Sequence, residues 1–256
     1  MKKNSKKTII TITIALSLII FTGFLVNNYR TKTSHKHNYE DQPKPDVQEV
    51  TEEIGLTKEI LNEKLAETRK NSDLMKVLAN DYVVGDSNAK VLIIEYASLS
   101  CPHCAVFYKE AYERLKDEYI STGKVRFVFR DFPLNQQALV AGAVAECVAR
   151  DSGEQSSEKY HEIIKILFKA QDSWAFDPKY TEKLETIMKL DGMGQDRFNS
   201  CINDKKIHDK ILAKRMDASN SLKINSTPTF FINGEISEGY VDYITIKNII
   251  DKKLKQ

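Results

Sequence analysis

Hydrophobic and polar positions divide the chain into three stretches of different character. Thr8 to Val26 (TIITITIALSLIIFTGFLV) runs for 19 residues without a charge, long enough at about 1.5 Å per residue to cross a bilayer as a helix. Lys2, Lys3, Lys6 and Lys7 precede it, the positive flank of a signal peptide or a membrane anchor. It ends TGFLVNN with no A-x-A-like site, so cleaved and uncleaved forms both stay open; either exports the residues beyond Tyr29. It has no polar face, which argues against a buried core helix. Asn27 to Val50 is polar, contains Pro43 and Pro45 and keeps neither a helical nor a strand period, as a tether does. His35 and His37 fall within it, with no thiolate or carboxylate constellation nearby, and are read as solvated linker. The expected organisation is a membrane-directed segment over residues 1–28, a polar linker over 29–55 and a folded domain over 56–256.

Within the domain the periods alternate. Leu56, Ile60, Leu61 and Leu65 recur at helical spacing and Leu74, Val77 and Leu78 resume it, predicting an amphipathic helix broken near Asn71. Val91 to Ala97 (VLIIEYA) is a short apolar run rich in branched residues, a buried strand that stops at Ser98-Leu99-Ser100. Cys104, Tyr108, Ala111, Leu115 and Tyr119 then share one helical face. Val125 to Arg130 reads as a second strand. A helical tract covers Asn135 to Leu222, interrupted at Ser152-Gly153, Asp177-Pro178 and Gly192 to Gly194. Thr229 to Ile232 is a strand, Asn233-Gly234 a hairpin turn and Tyr243 to Leu254 a closing helix. The order defines an α/β core with a helical insertion at about 135–222.

Charge narrows the function. The net charge is +2, and residues 1–30 hold five positive charges and no acid, which leaves −3 for the rest. A mildly acidic body offers no field for nucleic acid, and contact with a membrane is expected only through the N-terminal segment. Four cysteines in an exported chain are expected to be oxidised or redox-active.

Cys101-Pro102-His103-Cys104 lies where a buried strand turns into a helix. Unpaired amide N–H groups and the helix dipole there stabilise a negative sulfur, so Cys101 is the expected nucleophile. Cys104, one turn inside, is buried and resolving. Pro102 and His103 tune the thiolate, His103 as a donor or cation beside it. Half a zinc site or a short structural disulfide would have the same spacing, but no second CxxC occurs. Thr227-Pro228 stands immediately ahead of the later strand; a proline there cannot donate to a ladder, and its bond is a candidate cis peptide beside an open backbone edge. An ordinary trans proline opening a strand is the alternative. Cys147 and Cys201 both lie in the helical tract, where a structural disulfide is the natural reading and a second redox pair the alternative.

IIEYASLSCPHC, STPTFFING and the helical block between them resemble the DsbA family of thioredoxin-fold oxidoreductases, over about Asp81 to Gln256. The resemblance implies a thioredoxin fold with a helical insertion and a periplasmic enzyme that introduces disulfide bonds into client proteins. It also implies reoxidation by a membrane electron acceptor of the DsbB type, with no cofactor and no metal. Thr227-Pro228 matches the family's cis-proline loop, although the best-known members carry valine where this chain has Thr227, and related isomerases carry threonine. Glu95 resembles the buried acid that the family places beneath its active disulfide, where it could pass protons to Cys104; a sheet-edge charge paired with Arg130 is the competing reading. An isomerase or reductase on the same scaffold, and a periplasmic metal-binding module using Cys101, Cys104 and His103, are the rival functions.

Overall fold

The computed structural model describes residues 47–256; the membrane-directed segment and most of the linker lie outside them. Among the described residues no helix is long and apolar enough to cross a membrane. The first element, α1 (Val47–Leu74), departs from expectation in two places. It begins inside the stretch expected to be tether and continues through Asn71 without a break. Two prolines dominate the pattern upstream, but VQEVTEEIGL after them is rich in residues that helices accept. Ile60, Leu61 and Leu65 of its apolar stripe are exposed.

Five strands form one sheet: β1 (Val83–Val84), β2 (Val91–Ala97), β3 (Val125–Asp131), β4 (Thr229–Ile232) and β5 (Glu235–Glu238), in the order β1-β3-β2-β4-β5. β2 and β3 are parallel, with Glu95 opposite Phe129 and Tyr96 opposite Arg130; every other pairing is antiparallel. β1, two residues long, is too short to leave a period in the sequence. The parallel pair needs a crossover, supplied by α2 (residues 102–120), in which Tyr108–Tyr112 and Lys116–Ile120 are wound as π-helix. Between β3 and β4 the insertion runs through α3 (Gln136–Arg150), α4 (Ser156–Lys169), α5 (Tyr180–Leu190), α6 (Gln195–Ile202) and α7 (Lys205–Ser221), and α8 (Tyr243–Leu254) closes the domain.

Alternation along β2 divides the core between the two faces of the sheet. Val91, Ile93 and Ala97 join Phe107, Tyr108, Phe127, Phe129, Phe168 and the buried faces of α2, α3 and α4 in the larger cluster. Leu92, Ile94 and Tyr96 pack on the other face with Val128, Phe132, Ala218, Ile224 and Phe231. Arg130 belongs to that second face. Its Nη2 meets the Asp81 carboxylate at 2.6 Å and its Nη1 donates to the Tyr96 hydroxyl at 2.6 Å, so the guanidinium is satisfied away from Glu95, and the reading of Glu95 as its ion-pair partner is incorrect.

Cys147 on α3 and Cys201 on α6 are disulfide-bonded, with Cα atoms 5.6 Å apart. Both ends lie inside the insertion, and both cysteines are buried. The bond closes 54 residues, a loop whose closure stabilises the folded state by about 4 kcal/mol in the chain-entropy model. Replacing both cysteines with alanine is expected to lower the melting temperature by about 8 °C or more while redox turnover by the remaining pair stays nearly intact. Peptide mapping that finds both thiols free in the native protein would remove the basis for this expectation.

Candidate active site

β2 delivers the chain to the site and Ser98 turns it. The Ser98 carbonyl accepts from the Cys101 N–H at 2.9 Å, and its hydroxyl accepts from the backbone N–H groups of Ser100 and Leu134, both at 3.3 Å. Cys101 is then the N-cap of α2, in extended backbone geometry, with Pro102 at the first helical position. Proline is tolerated there because the N–H it lacks would have had no helical partner.

Cys101 and Cys104 are both unpaired thiols in this structure, in unlike surroundings. The Cys101 sulfur faces the chain ahead of β4 and donates to the Thr227 carbonyl at 3.3 Å. Its pKa is lowered to about 5, first by hydrogen bonding from the Cys104 thiol, then by Thr227 and by the backbone N–H groups of Cys104 and His103, against desolvation. The Thr227 hydroxyl has no partner while Cys101 is a thiol and acts as a donor once the sulfur is ionised. Cys104 shows no exposure, and burial first, then the competing bond to Cys101, push its pKa well above the ordinary thiol range. One sulfur is therefore held ready as thiolate and the other as thiol.

The bond between Thr227 and Pro228 is cis. His103 is exposed, and its backbone N–H is one of the donors that lower the Cys101 pKa. Glu95 lies on the larger-core face of β2, with no exposure. Its carboxyl oxygens and the Tyr108 hydroxyl have no closed hydrogen bond. Burial raises the Glu95 pKa well above the carboxylate range, the Tyr108 phenol opposing only part of the rise, so the group is a buried carboxylic acid within electrostatic reach of Cys104. Among the described residues no three His, Cys, Asp or Glu side chains are grouped as metal ligands.

Gln171 is a site residue that sequence reasoning does not find. It lies just beyond α4 in the insertion, is buried, and its side-chain amide donates to the carbonyls of Leu99 at 2.8 Å and Cys101 at 2.9 Å. No motif or period marks a lone glutamine; only the path of the insertion back to the site reveals it.

The thioredoxin family model (Thioredoxin_4) matches residues 77–252. A Rickettsia typhi chain classed as a protein-disulfide oxidoreductase is 30% identical over 90% of this chain and 79% of its own length; the chain spans 63% of the corresponding Rickettsia felis protein. Among solved structures, Wolbachia pipientis alpha-DsbA1 superposes with a TM-score of 0.66 at 37% identity, covering 72% of this chain and 95% of that one. Bacillus subtilis BdbD shares the fold, with a TM-score of 0.58 at 22% identity over 69% of this chain and 94% of its own. The chain belongs to the thioredoxin family, among the protein-disulfide oxidoreductases of the DsbA type.

Proposed function

We propose that the protein is an exported dithiol oxidase that introduces disulfide bonds into client proteins, with Cys101 as nucleophile and Cys104 as resolving cysteine. The observation that carries this reading is the opposite tuning of the two sulfurs: Cys101 is brought to about 5 by donors that a disulfide cannot use, while Cys104 is pushed up by burial. The contacts that favour the thiolate favour the reduced enzyme, and a pair that is stable when reduced takes electrons from other thiols.

In the forward step a client thiolate attacks the Cys101 sulfur of the Cys101–Cys104 disulfide. The S–S bond breaks, a mixed disulfide forms on Cys101, and the bonding pair leaves with Cys104, which takes up a proton. Glu95, held as the acid by burial, is the donor, and solvent restores its proton. A second client thiolate then attacks the client sulfur of the mixed disulfide and releases Cys101 as thiolate. Two electrons have passed to the enzyme, and a membrane electron acceptor of the DsbB type returns it to the disulfide. The Thr227-Pro228 loop presents backbone to the client beside the reacting sulfur. Residues 1–28, as signal or anchor, place the domain in the periplasm, on the side of the membrane where clients fold.

A redox titration of the full chain against glutathione tests the direction. The midpoint is expected above about −180 mV, more oxidising than a typical isomerase. A midpoint near the roughly −270 mV of thioredoxins would overturn the oxidase reading in favour of a reductase.

A further inference from the structure

The active-site turn is held from two sides. From within, the Cys101 N–H closes on the Ser98 carbonyl, and the Cys101 carbonyl accepts the first helical bond of α2 from Ala105 at 3.2 Å. From outside, Gln171 reaches in from the insertion, some 70 residues further along the chain. Its one amide nitrogen spends both protons on this turn, on Leu99 and on Cys101 itself. Gln171 is anchored in turn: its own carbonyl accepts from the N–H groups of Trp174 at 3.1 Å and Ala175 at 2.9 Å, and the Trp174 indole donates to the Leu167 carbonyl at 3.0 Å. Gln171 is 1% exposed and Trp174 shows no exposure, so the contact excludes water.

The electrostatics of the turn give this contact a chemical sense. The Cys101 thiolate is stabilised by donors that lie beyond it in the chain, the His103 and Cys104 N–H groups and the Cys104 thiol, together with Thr227 across the cleft. The carbonyls of Leu99 and Cys101 are the negative ends of the peptides on either side of Ser100 and Cys101. Without Gln171 the Cys101 carbonyl keeps its helical bond from Ala105, but the Leu99 oxygen loses its side-chain donor; released to turn towards the sulfur it would repel its charge, and a buried carbonyl left without a donor is unfavourable in its own right.

Building on the oxidase reading, we propose that Gln171 is a positioning residue for Cys101: by occupying the Leu99 and Cys101 carbonyls from the insertion, it keeps the donor side of the turn facing the reacting sulfur. The helical insertion thereby sets the chemistry of a cysteine that belongs to the thioredoxin core. Gln171 touches neither the sulfur nor the client, and it acts through the backbone alone.

Gln171→Met keeps the volume and removes the donor. In the full chain the ultraviolet absorbance of the Cys101 thiolate, tracked against pH, is expected to show a midpoint about one unit above that of the native protein, a tenfold loss of thiolate at pH values below it. The equilibrium with glutathione is expected to move about tenfold towards the enzyme disulfide. A residue that only supported the fold would lower the melting temperature of both redox forms alike and leave the thiolate titration and the glutathione equilibrium where they were; that result overturns the proposal. If the native protein itself shows no low-pH thiolate, it is the oxidase reading that fails; a native thiolate unchanged by Gln171→Met sinks the positioning role alone. Should the variant not fold, NMR of the Gln171 side-chain amide in the native protein decides. Its protons are expected to exchange slowly and to shift as Cys101 titrates, and rapid exchange with no response to the titration overturns the proposal.

Discussion

At pH 8.5 the protein with Cys101 and Cys104 reduced is expected to melt several degrees above the form in which they are joined, and below pH 5 the order is expected to reverse. Cys101 falls from an ordinary 9.0 to about 5 in the fold. At about 1.4 kcal/mol per unit, that depression stabilises the reduced form by at most about 5–6 kcal/mol, and solvent reaching the sulfur reduces the figure. The folded pKa lies below the unfolded one, so the contribution is fully present above pH 9 and is lost as the pH falls through about 5. The disulfide form has no ionised sulfur to gain from these contacts. Its own advantage is the closure of a four-residue loop, about 2 kcal/mol in the chain-entropy model, which hardly varies with pH. The thiolate wins at alkaline pH and loop closure wins in acid. With about 2–4 °C for each kcal/mol in a domain of this size, the crossing is within reach of calorimetry on the two forms, Cys147–Cys201 being kept oxidised in both. An oxidised form that melts higher at every pH would remove the physical basis for an oxidase.

Cys104→Ala is expected to accumulate client proteins on Cys101, because release by intramolecular attack is gone and only a second client thiol is left to free them. Cys101→Ala is expected to trap none. The contrast comes from the two sulfurs: with a pKa of about 5, Cys101 is about 99% thiolate at pH 7, whereas Cys104 is buried and held protonated. A client disulfide meets one nucleophile, not two: the Cys101 thiolate attacks it, a mixed disulfide forms on Cys101, and the client's other sulfur leaves as thiolate. Non-reducing gels with mass spectrometry of the adducts read the outcome. Adducts recovered from Cys101→Ala and not from Cys104→Ala would reverse the assigned roles.

The elements of the core are legible in the sequence because their signals are local. β2, β4 and α8 lie where VLIIEYA, TFFI and the pattern from Tyr243 place them, since a strand buried on both faces has little choice but a run of branched and aromatic residues. The placement of Cys101 at a helix start comes from strand, break and proline in succession. The features that stay hidden depend on partners far along the chain. Arg130 lies beside Tyr96 in the ladder and not beside Glu95, and strand register decides that difference. Gln171 looks like any surface glutamine until the insertion folds back. The backbone N–H groups of His103 and Cys104, which also lower the Cys101 pKa, stay hidden because a sequence names side chains and leaves the backbone unmentioned. The start of α1 is hidden for the opposite reason, two prolines outweighing the glutamate-rich residues after them.

The pairing of Cys147 with Cys201 bears on how the protein comes to be made. Four cysteines admit three connectivities, and this bond leaves Cys101 and Cys104 as each other's partner. Of the three, it is the one in which both bonds join neighbours along the chain. A polypeptide delivered N-terminus first presents Cys101 and Cys104 together, then Cys147, and last Cys201, with the first two already able to close on each other across two residues. No sulfur has to be unpicked from an early wrong partner before the late one arrives. The connectivity lets a catalyst of disulfide formation mature in order of synthesis, without an isomerase to correct it.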